Sequence, residues 1–417
     1  MEYGLVGGKL GHSFSKTVHN LIGGYDYELK EIAKEELESF IKAKAFKGIN
    51  VTIPYKESVI PYLDFIDDAA KKIGAVNTIV NKNGKLFGYN TDFYGLKALI
   101  EKANIEIKDK KVLILGSGGT SKTAFAVVKD MGAKEILVVS RNSGNGLITY
   151  EQAYKDHGDA EIMINTTPVG MYSIIGIKPI ELDVFDNLCG VVDVIYNPLN
   201  SALVTEAKQR GIKAIGGLYM LISQAIFAAE KFLDKELPKT EIDRIYTKIL
   251  NDKRNIVLIG MPSSGKSTVG KELAKKLAKN FFDSDTEIEK ITNMKIPDIF
   301  KTYGEKHFRE LEAKVIANLS LKQSSVIATG GGVILNNRNV ELLKENSFVV
   351  FLDRNIENLI ATNDRPLSSS VEMLKKRYDE RYEIYCASAD LKIDANGTVE
   401  QNVNKIKEGF LNENSCN

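Results

Sequence analysis

Residues 255–280 read NIVLIGMPSSGKSTVGKELAKKLAKN. A short apolar run leads into a glycine-rich turn, and apolar side chains then recur at helical spacing at Val269, Leu273 and Leu277. This order of strand, glycine-rich turn and helix is typical of the first unit of a parallel α/β domain. Residues 110–132, KKVLILGSGGTSKTAFAVVKDMG, repeat the same order. Because one compact domain rarely needs two such turns, the sequence predicts at least two α/β domains.

The turn at residues 260–267, GMPSSGKS, matches the pattern G-x-x-x-x-G-K-[ST]. In such a loop the backbone N–H groups surround phosphate at a helix N-terminus, which favours anions. We expect Lys266 to reach the β- and γ-phosphates and the Ser267 hydroxyl to bind Mg²⁺. The residues predicted to contact ATP are those of the turn and its helix: Pro262, Ser263, Ser264, Gly265, Lys266, Ser267 and Thr268.

Two aspartates, Asp283 and Asp285, follow the predicted second strand of this domain. The carboxyl end of that strand is expected to face the bound phosphates. There, one carboxylate can hold Mg²⁺ and the other can accept a hydrogen bond from a substrate hydroxyl. From these residues alone, an acidic pair that caps the following helix is an equally good interpretation.

Two later features favour a kinase over a switch GTPase. Arg309 can form a bidentate pair with a substrate carboxylate, although an exposed helical arginine is the alternative. Gly330, Gly331 and Gly332 end an apolar strand, where a backbone without side chains can approach a ligand closely.

The turn of the upstream unit is an imperfect dinucleotide-binding pattern. Gly116 and Gly118 fit G-x-G-x-x-G, but Ser121 occupies the third glycine position, so a plain strand-to-helix turn is the alternative. The next strand ends at Ser140 and Arg141, with no acidic residue to bind a ribose 2′-hydroxyl. Because an arginine suits a 2′-phosphate, NADP is favoured over NAD.

A region rich in short polar side chains precedes this turn. Lys56 follows a short strand, and a lysine held beside a carboxylate such as Asp92 can relay a proton to a carbonyl oxygen as hydride arrives at the carbon. A lone lysine is usually a solvated surface group, which is the alternative. The residues that argue against it are small polar groups suited to a polyhydroxy acid: Ser13, Ser15, Thr52, Asn77 and Asp92.

The composition of the 417-residue chain is that of a globular protein, with 43% hydrophobic and 27% charged residues. A net charge of +1 provides no basic excess for nucleic acid. Three scattered cysteines form neither a disulfide framework nor a zinc motif. The sequence has no evident signal peptide and no apolar run that would span a membrane. We therefore expect a cytoplasmic enzyme acting on small molecules, and no feature indicates its oligomeric state.

Residues 255–417 resemble shikimate kinase, a P-loop enzyme of the nucleoside-monophosphate-kinase-like group. The resemblance rests on motifs in family order: the P-loop, Asp283-Ser-Asp285, GEKHFR ending at Arg309, Thr329–Gly332, Arg365-Pro-Leu367 and Arg381–Tyr385. It implies that Asp283 belongs to the metal site, that Asp285 meets the shikimate hydroxyls, and that Arg365 is a lid arginine. The groups implied to hold the rest of the substrate are Arg309, Arg381 and the backbone of Gly330, Gly331 and Gly332. One departure is the lid segment before Arg365, which is short.

Residues 1–250 resemble shikimate dehydrogenase. The resemblance rests on these motifs: Ser13-Phe-Ser15, NVTIPYKE, GAVNT, YNTD, GSGGTS, NTTPVGM, DVIYNP and Gly217–Leu221 leading to Gln224. It implies that Lys56 and Asp92 form the catalytic pair. The implied substrate-binding residues are Ser13, Ser15, Thr52, Asn77, Asp92, Tyr196 and Gln224. The implied NADP-binding residues are Gly116, Ser117, Gly118, Gly119, Thr120, Arg141, Val194 and Gly217. This half also departs from its family, because no second basic residue follows Arg141 and the stretch to Asn165 is abbreviated.

Together the two resemblances imply a bifunctional enzyme that uses NADP(H), ATP and Mg²⁺ to reduce 3-dehydroshikimate and then phosphorylate shikimate. We expect a substrate-binding α/β domain at residues 1–95, on which 218–250 packs back, then a Rossmann-like NADP domain at 96–217. A P-loop parallel α/β domain is expected at 251–417. One alternative is an active shikimate or quinate dehydrogenase that works oxidatively with NAD. Another is a dehydrogenase with a weak or regulatory kinase-like domain, and a P-loop scaffold or GTPase is a third.

Overall fold

The computed structural model describes residues 1–11, 14–172, 174–359 and 371–416. Two predicted site residues, Ser13 and Arg365, lie outside the described residues. The chain divides into two compact units, Met1–Tyr246 and Thr247–Asn417. Among the described residues, no helix combines the length and the apolar character that crossing a membrane requires.

The first unit begins with a mixed sheet of six strands in the order β2-β1-β3-β5-β6-β4. Its strands are β1 (Tyr3–Gly7), β2 (Tyr27–Glu31), β3 (Gly48–Val51), β4 (Phe65–Ile66), β5 (Thr78–Lys82) and β6 (Lys85–Tyr89). Its helices are α1 (Phe14–Ile22), α2 (Leu37–Ala43), α3 (Asp68–Ile73) and α4 (Thr91–Lys102). The antiparallel pair β5–β6 turns at Asn83-Gly84, where both residues have positive φ, as a two-residue hairpin turn requires.

A second sheet of the same unit is wholly parallel, in the order β12-β11-β10-β7-β8-β9. Its strands are β7 (Lys111–Leu115), β8 (Glu135–Val139), β9 (Leu147–Ile148), β10 (Ile162–Asn165), β11 (Gly190–Asp193) and β12 (Lys213–Ile215). Its helices are α5 (Gly119–Asp130), α6 (Tyr150–Asp156) and α7 (Ala202–Gln209). Helix α8 (Leu218–Leu233) follows β12 but packs against α1, α4 and β3 of the first sheet. Read outward from β7, this is the doubly wound order of a dinucleotide-binding fold, whose switch point lies between β7 and β10.

The connection from β8 to β9 contains no helix. Parallel neighbours usually need a crossover of a dozen or more residues, yet only residues 140–146 join these two strands. The loop reverses at Asn145-Gly146, where both residues have positive φ, and Gly144 and Leu147 exchange backbone hydrogen bonds. The abbreviation noted in the sequence after Arg141 thus corresponds to a tight loop in place of a crossover helix.

The second unit is built on a parallel five-stranded sheet in the order β14-β15-β13-β16-β17. Its strands are β13 (Asn255–Ile259), β14 (Asn280–Asp283), β15 (Ser325–Ala328), β16 (Ser347–Asp353) and β17 (Leu391–Asp394). Alternate residues of the central strand enter different cores, with Val257 in one and Ile256 in the other. The sheet is therefore buried on both faces, as parallel sheets usually are.

The helices of this unit follow the sheet strands, after a helix α9 (Thr240–Lys253) that leads into β13. They are α10 (Lys266–Leu277), α11 (Ser284–Thr292), α12 (Ile296–Ser320), α13 (Asn337–Lys344), α14 (Val371–Ser388) and α15 (Val399–Cys416). Helix α12 is interrupted at Gly304, whose backbone has φ 78°.

The polar stretch at residues 234–255, whose composition predicts a link between two domains, is mostly helical, because α9 occupies residues 240–253. The Lys279 Nζ stabilises the end of this helix by donating to the carbonyls of Asn251 (2.7 Å) and Arg254 (3.0 Å). The predicted start of the last domain, residue 251, lies near that end, whereas the two compact units divide within the helix, after Tyr246.

Candidate active sites

A cleft of about 360 Å³ in the first unit collects most of the residues predicted for the dehydrogenase. The predicted residues that line it are Ser15, Thr52, Lys56, Asn77, Asp92, Thr120, Val194, Tyr196, Gly217 and Gln224. They lie in loops next to strands of both sheets and in or beside the helices α1, α4, α5 and α8. Residues far apart in sequence thus share one concave surface, which is the usual setting of a small-molecule site.

Lys56 and Asp92 form an ion pair in this cleft, with 2.6 Å between Nζ and Oδ2. Asp92 lies in the first turn of α4, where a carboxylate is favoured, and Asn90 caps that helix through the Phe93 N–H. The two side chains are 31% and 19% exposed, so a bound substrate can reach them. A lysine in this position can deliver a proton to a substrate oxygen.

The wall behind the pair is a buried hydrogen-bonded network around two asparagines. Asn77 Oδ1 accepts from the Thr91 N–H at 2.7 Å. Asn50 accepts from the Tyr27 hydroxyl at 2.7 Å and donates to Thr78 Oγ1 at 3.0 Å. Asn50 lines the cleft, and the sequence interpretation missed it. Its position two residues before Thr52 on an extended segment was the available signal.

The glycine-rich turn after β7 leaves open space at the start of α5. Gly116 has φ +102°, and a Cβ there would lie 2.9 Å from Thr166 Oγ1, so only glycine fits without strain. A Cβ on Gly118 or Gly119 would meet no atom within 4 Å. Open space at a helix N-terminus suits a phosphate group. Ser117 lies beside this turn, with its hydroxyl 3.3 Å from that of Ser140.

Gly217 and Val194, both predicted to bind NADP, are in direct contact. A Cβ on Gly217 would overlap the Val194 carbonyl, and the Gly217 N–H donates to the Ile195 carbonyl at 2.7 Å. The loop is held by Asp193, which is fully buried and accepts from the Ile195 N–H and the Ser201 hydroxyl. Burial raises the pKa of Asp193 to about 6.

Arg141 lies exposed just after β8, where the sequence places a 2′-phosphate contact. Burial raises the pKa of the Tyr150 phenol, and the charge of Arg141 partly offsets that rise. The loop from Ser140 to Gly146 contains no carboxylate. Arg141 is the single basic side chain of this loop.

The P-loop of the second unit has the backbone that its glycines predict. Gly260 and Gly265 have φ +147° and +92°, conformations that a side chain would strain. The Lys266 side chain folds back over the loop, and its Nζ donates to the carbonyls of Gly260 (2.9 Å) and Met261 (2.7 Å). The lysine, only 7% exposed, is therefore held within the loop that would surround the phosphates.

Asp283 caps the helix that follows it and also contacts Ser267, the other residue predicted to bind Mg²⁺. Its Oδ1 caps α11 by accepting from the N–H groups of Asp285 (3.1 Å) and Thr286 (3.3 Å). Its Oδ2 accepts from the Ser267 hydroxyl at 2.5 Å. A hydroxyl and a carboxylate side by side are the oxygen donors that Mg²⁺ prefers, so these residues fit the predicted metal.

The three glycines after β15 each approach a different predicted group. A Cβ on Gly330 would lie 2.6 Å from Asp285 Oδ1, and one on Gly331 would lie 2.8 Å from Pro262 Cδ in the P-loop. A Cβ on Gly332 would overlap the Arg309 guanidinium. The triple glycine, the P-loop, Asp285 and Arg309 therefore meet in one place.

Hydrogen bonds hold this glycine segment from two sides. The Gly330 N–H donates to Ser284 Oγ at 2.9 Å. The Gly331 carbonyl accepts from Arg381 Nη1 at 3.0 Å and from the Tyr385 hydroxyl at 2.6 Å. In the described part of the chain, the N–H groups of Gly331 and Gly332 have no protein acceptor. Two free donors between two arginines are suited to a carboxylate.

Arg309 is oriented by a buried acid that the sequence interpretation missed. Its guanidinium donates to Glu312 (2.8 Å) and Glu305 (3.0 Å). Burial raises the pKa of the Glu312 carboxyl, and the charge of Arg309 partly offsets that rise. The second oxygen, Oε1, has no partner among the described residues and would be 3.2 Å from a Cβ on Gly330. The spacing of three residues on one helix was the available signal.

Comparison with known proteins agrees with the family resemblance of each half of the chain. A family model described as the shikimate dehydrogenase substrate binding domain matches residues 5–79, and one described as shikimate kinase matches residues 262–410. The NADP(+) shikimate dehydrogenase of Clostridium beijerinckii is 40% identical over 269 residues, which cover 60% of this chain and 98% of that protein. The corresponding protein of Caldanaerobacter subterraneus is 36% identical, covering 59% and 95% of the two chains.

Solved structures agree over the same region. A chorismate mutase/shikimate 5-dehydrogenase fusion protein from Clostridium acetobutylicum is 37% identical, with a TM-score of 0.56 and coverage of 59% of this chain and 96% of that one. The Thermus thermophilus shikimate 5-dehydrogenase in complex with NADP(H) and shikimate is 27% identical, with a TM-score of 0.52 and coverage of 58% and 97%. The chain therefore belongs to the shikimate dehydrogenase family, and a shikimate kinase domain follows its dehydrogenase part.

Proposed function

We propose that the chain catalyses two consecutive reactions, the NADPH-dependent reduction of 3-dehydroshikimate to shikimate and the ATP-dependent phosphorylation of shikimate to shikimate 3-phosphate. The dehydrogenase family membership and the kinase domain support this assignment. The product of the first reaction is the substrate of the second.

In the dehydrogenase site, the Lys56–Asp92 pair is the observation that carries the proposal. NADPH, when bound at the glycine-rich turn, supplies the hydride to the keto carbon. The Lys56 ammonium donates a proton to the oxygen of that carbonyl, and Asp92 orients the lysine through their 2.6 Å contact. Ser13, Ser15, Thr52 and Asn77 would hold the substrate hydroxyls and carboxylate.

In the kinase site, the contact of the triple glycine with Asp285, Arg309 and the P-loop carries the proposal. Asp285 would accept the proton of the attacking shikimate hydroxyl. Arg309, Arg381 and the free N–H groups of Gly331 and Gly332 would bind the substrate carboxylate. Lys266 and the lid residue Arg365 would stabilise charge on the transferred phosphoryl group. Mg²⁺, when held by Ser267 and Asp283, neutralises charge on the nucleotide phosphates.

The second candidate is an active dehydrogenase whose kinase-like unit only binds nucleotide, favoured by the short lid segment before Arg365. ADP release in the presence of shikimate, ATP and Mg²⁺ discriminates between the two. We expect Asp285→Asn to lower kcat by roughly 10²- to 10⁴-fold, because the hydroxyl loses its base.

Asp298→Asn is the matched control for this measurement. Asp298 is exposed and lies in the first turn of α12. Asp285 occupies the corresponding first turn of α11. This variant should keep the wild-type rate. A wild-type rate no higher than that of Asp285→Asn would leave only the nucleotide-binding candidate.

A further inference from the structure

Among the described residues, Tyr385 has the largest fully buried side chain, with 1% of its surface exposed. Its ring stacks on Phe351, with 4.9 Å between centroids and 15° between planes. Burial raises the pKa of its phenol, so the hydroxyl keeps its proton and acts as a donor. That donor is directed at one acceptor, the Gly331 carbonyl, at 2.6 Å.

Gly331 lies in the segment with the greatest backbone freedom in the kinase site, since three consecutive glycines restrict φ and ψ least. The Gly331 carbonyl and the Gly332 N–H belong to the same planar, trans peptide unit. A bond to the carbonyl oxygen therefore also sets the direction of the Gly332 N–H, which points the opposite way. That N–H is one of the two donors left free for the substrate.

Arg381 donates to the same carbonyl from one helical turn before Tyr385, since residues four apart share a face of α14. The two donors differ in what else they can do. A guanidinium has several N–H groups and can pair with a carboxylate, whereas the Tyr385 hydroxyl has one hydrogen and is enclosed. When Arg381 engages a substrate carboxylate, the bond from Tyr385 still fixes the Gly331 peptide.

We propose that Tyr385 is a positioning residue for shikimate. It holds the Gly331–Gly332 peptide so that the Gly332 N–H faces the substrate while Arg381 is free to bind the carboxylate. This inference rests on the proposed kinase function and adds a residue that does not itself touch the substrate. A merely structural role would instead be to anchor α14 in the core through the Phe351 stack.

Tyr385→Phe removes the hydroxyl and keeps the ring. We expect the KM for shikimate to rise roughly two- to tenfold, the loss typical of one neutral hydrogen bond. The kcat and the KM for ATP should stay at their wild-type values, because the ring still packs and the P-loop is unchanged. Steady-state kinetics with each substrate varied in turn, together with the melting temperature, measures all of these quantities.

Tyr382→Phe is the matched control, because Tyr382 lies on the same helix and its ring also contacts Phe351 at 5.9 Å. Its hydroxyl accepts from Lys392 at 2.9 Å, away from the glycines. This variant should leave both KM values unchanged.

Three results would count against the inference, and they are distinguishable. A wild-type chain without shikimate-dependent ADP release overturns the proposed kinase function and this inference with it. An active wild type whose shikimate KM is the same in Tyr385→Phe and Tyr382→Phe overturns the positioning role alone. Equal increases in the KM for ATP and for shikimate, with a lower melting temperature, would identify Tyr385 as an anchor of α14 instead.

Discussion

Three acidic side chains near the two sites have environments that suit different tasks. Asp92 is partly exposed and paired with Lys56, so it can orient the lysine that would contact the substrate. Glu312 is buried against Arg309 and orients that guanidinium. Asp193 has no cationic partner in the described structure and is satisfied by the Asn165 amide, the Ser201 hydroxyl and a backbone N–H. Asp193 therefore holds the loop beside Gly217 in place, and burial of its negative charge costs free energy.

That cost predicts a pH dependence of stability. The pKa of Asp193 in the folded chain, about 6, is above its ordinary value of 3.8. The folded state thus binds this proton more tightly, so the contribution to stability is present below 3.8 and is lost as pH rises through about 6. We expect the free energy of unfolding of the wild type, relative to Asp193→Asn, to fall by about 3 kcal/mol over this range, since one pKa unit corresponds to about 1.4 kcal/mol.

Urea unfolding of both proteins at a series of pH values measures this difference. Asparagine does not titrate, so any effect of the substitution on packing is constant and cancels from the slope. A difference between the two proteins that does not vary with pH would contradict the assignment of a raised pKa to Asp193.

At the scale of elements, each unit places a glycine-rich turn between a buried strand and a helix. The turn before α5 leaves space around Gly118, and the turn before α10 encloses Lys266. The first turn would admit the pyrophosphate of a dinucleotide and the second a triphosphate, because backbone N–H groups at a helix N-terminus bind phosphate.

Gly118→Ala tests the first turn. Gly118 has φ −83°, and a Cβ there would meet no protein atom, so we expect unfolding stability to stay constant or rise by up to about 1 kcal/mol. The same methyl group would occupy space that the pyrophosphate needs. We expect the KM for NADPH to rise on the order of tenfold, or about 1.4 kcal/mol of binding.

The KM for 3-dehydroshikimate and the kinase kinetics serve as internal controls for this variant. Unchanged affinity for NADPH at unchanged stability would show that the cofactor phosphates do not approach Gly118.

The elements that sequence patterns predicted are those with local signals. The structure contains both predicted strand–turn–helix units. They could be predicted because, in each unit, the apolar run, the glycines and the helical spacing lie within a single short stretch of sequence. Glu312 and Asn50 were missed because the pattern did not show which face of a helix or strand the site would use. Helix α9 was interpreted as a linker because of its polar composition. Yet Ile242, Ile245 and Ile249 recur at helical spacing and are buried.

Long-range arrangement was beyond what the patterns contain. Nothing in the sequence indicates that the Gly331 carbonyl meets Tyr385 across 54 residues, or that Asp283 serves both Ser267 and its own helix. The family resemblance supplied roles for Arg381 and Asp285, whereas the geometry that connects them through the triple glycine comes from the fold. The β8–β9 loop is a further example. The sequence showed that this loop is short, but it did not show that β8 and β9 still pair in parallel.

At the scale of the whole molecule, one chain carries two sites whose proposed reactions share shikimate. A single polypeptide guarantees equal amounts of the two activities. Each site has one lysine whose loss should stop only its own reaction, Lys56 in the first unit and Lys266 in the second. The two activities can therefore be separated by single substitutions in an otherwise intact chain.

The most direct test supplies the intact chain with 3-dehydroshikimate, NADPH, ATP and Mg²⁺ and measures shikimate and shikimate 3-phosphate over time. We predict that the wild type forms shikimate 3-phosphate and that Lys266→Ala accumulates shikimate. Lys56→Ala should leave NADPH unoxidised, yet phosphorylate added shikimate at the wild-type rate. A wild type that accumulates shikimate without forming shikimate 3-phosphate would contradict the assignment of two consecutive reactions to this chain.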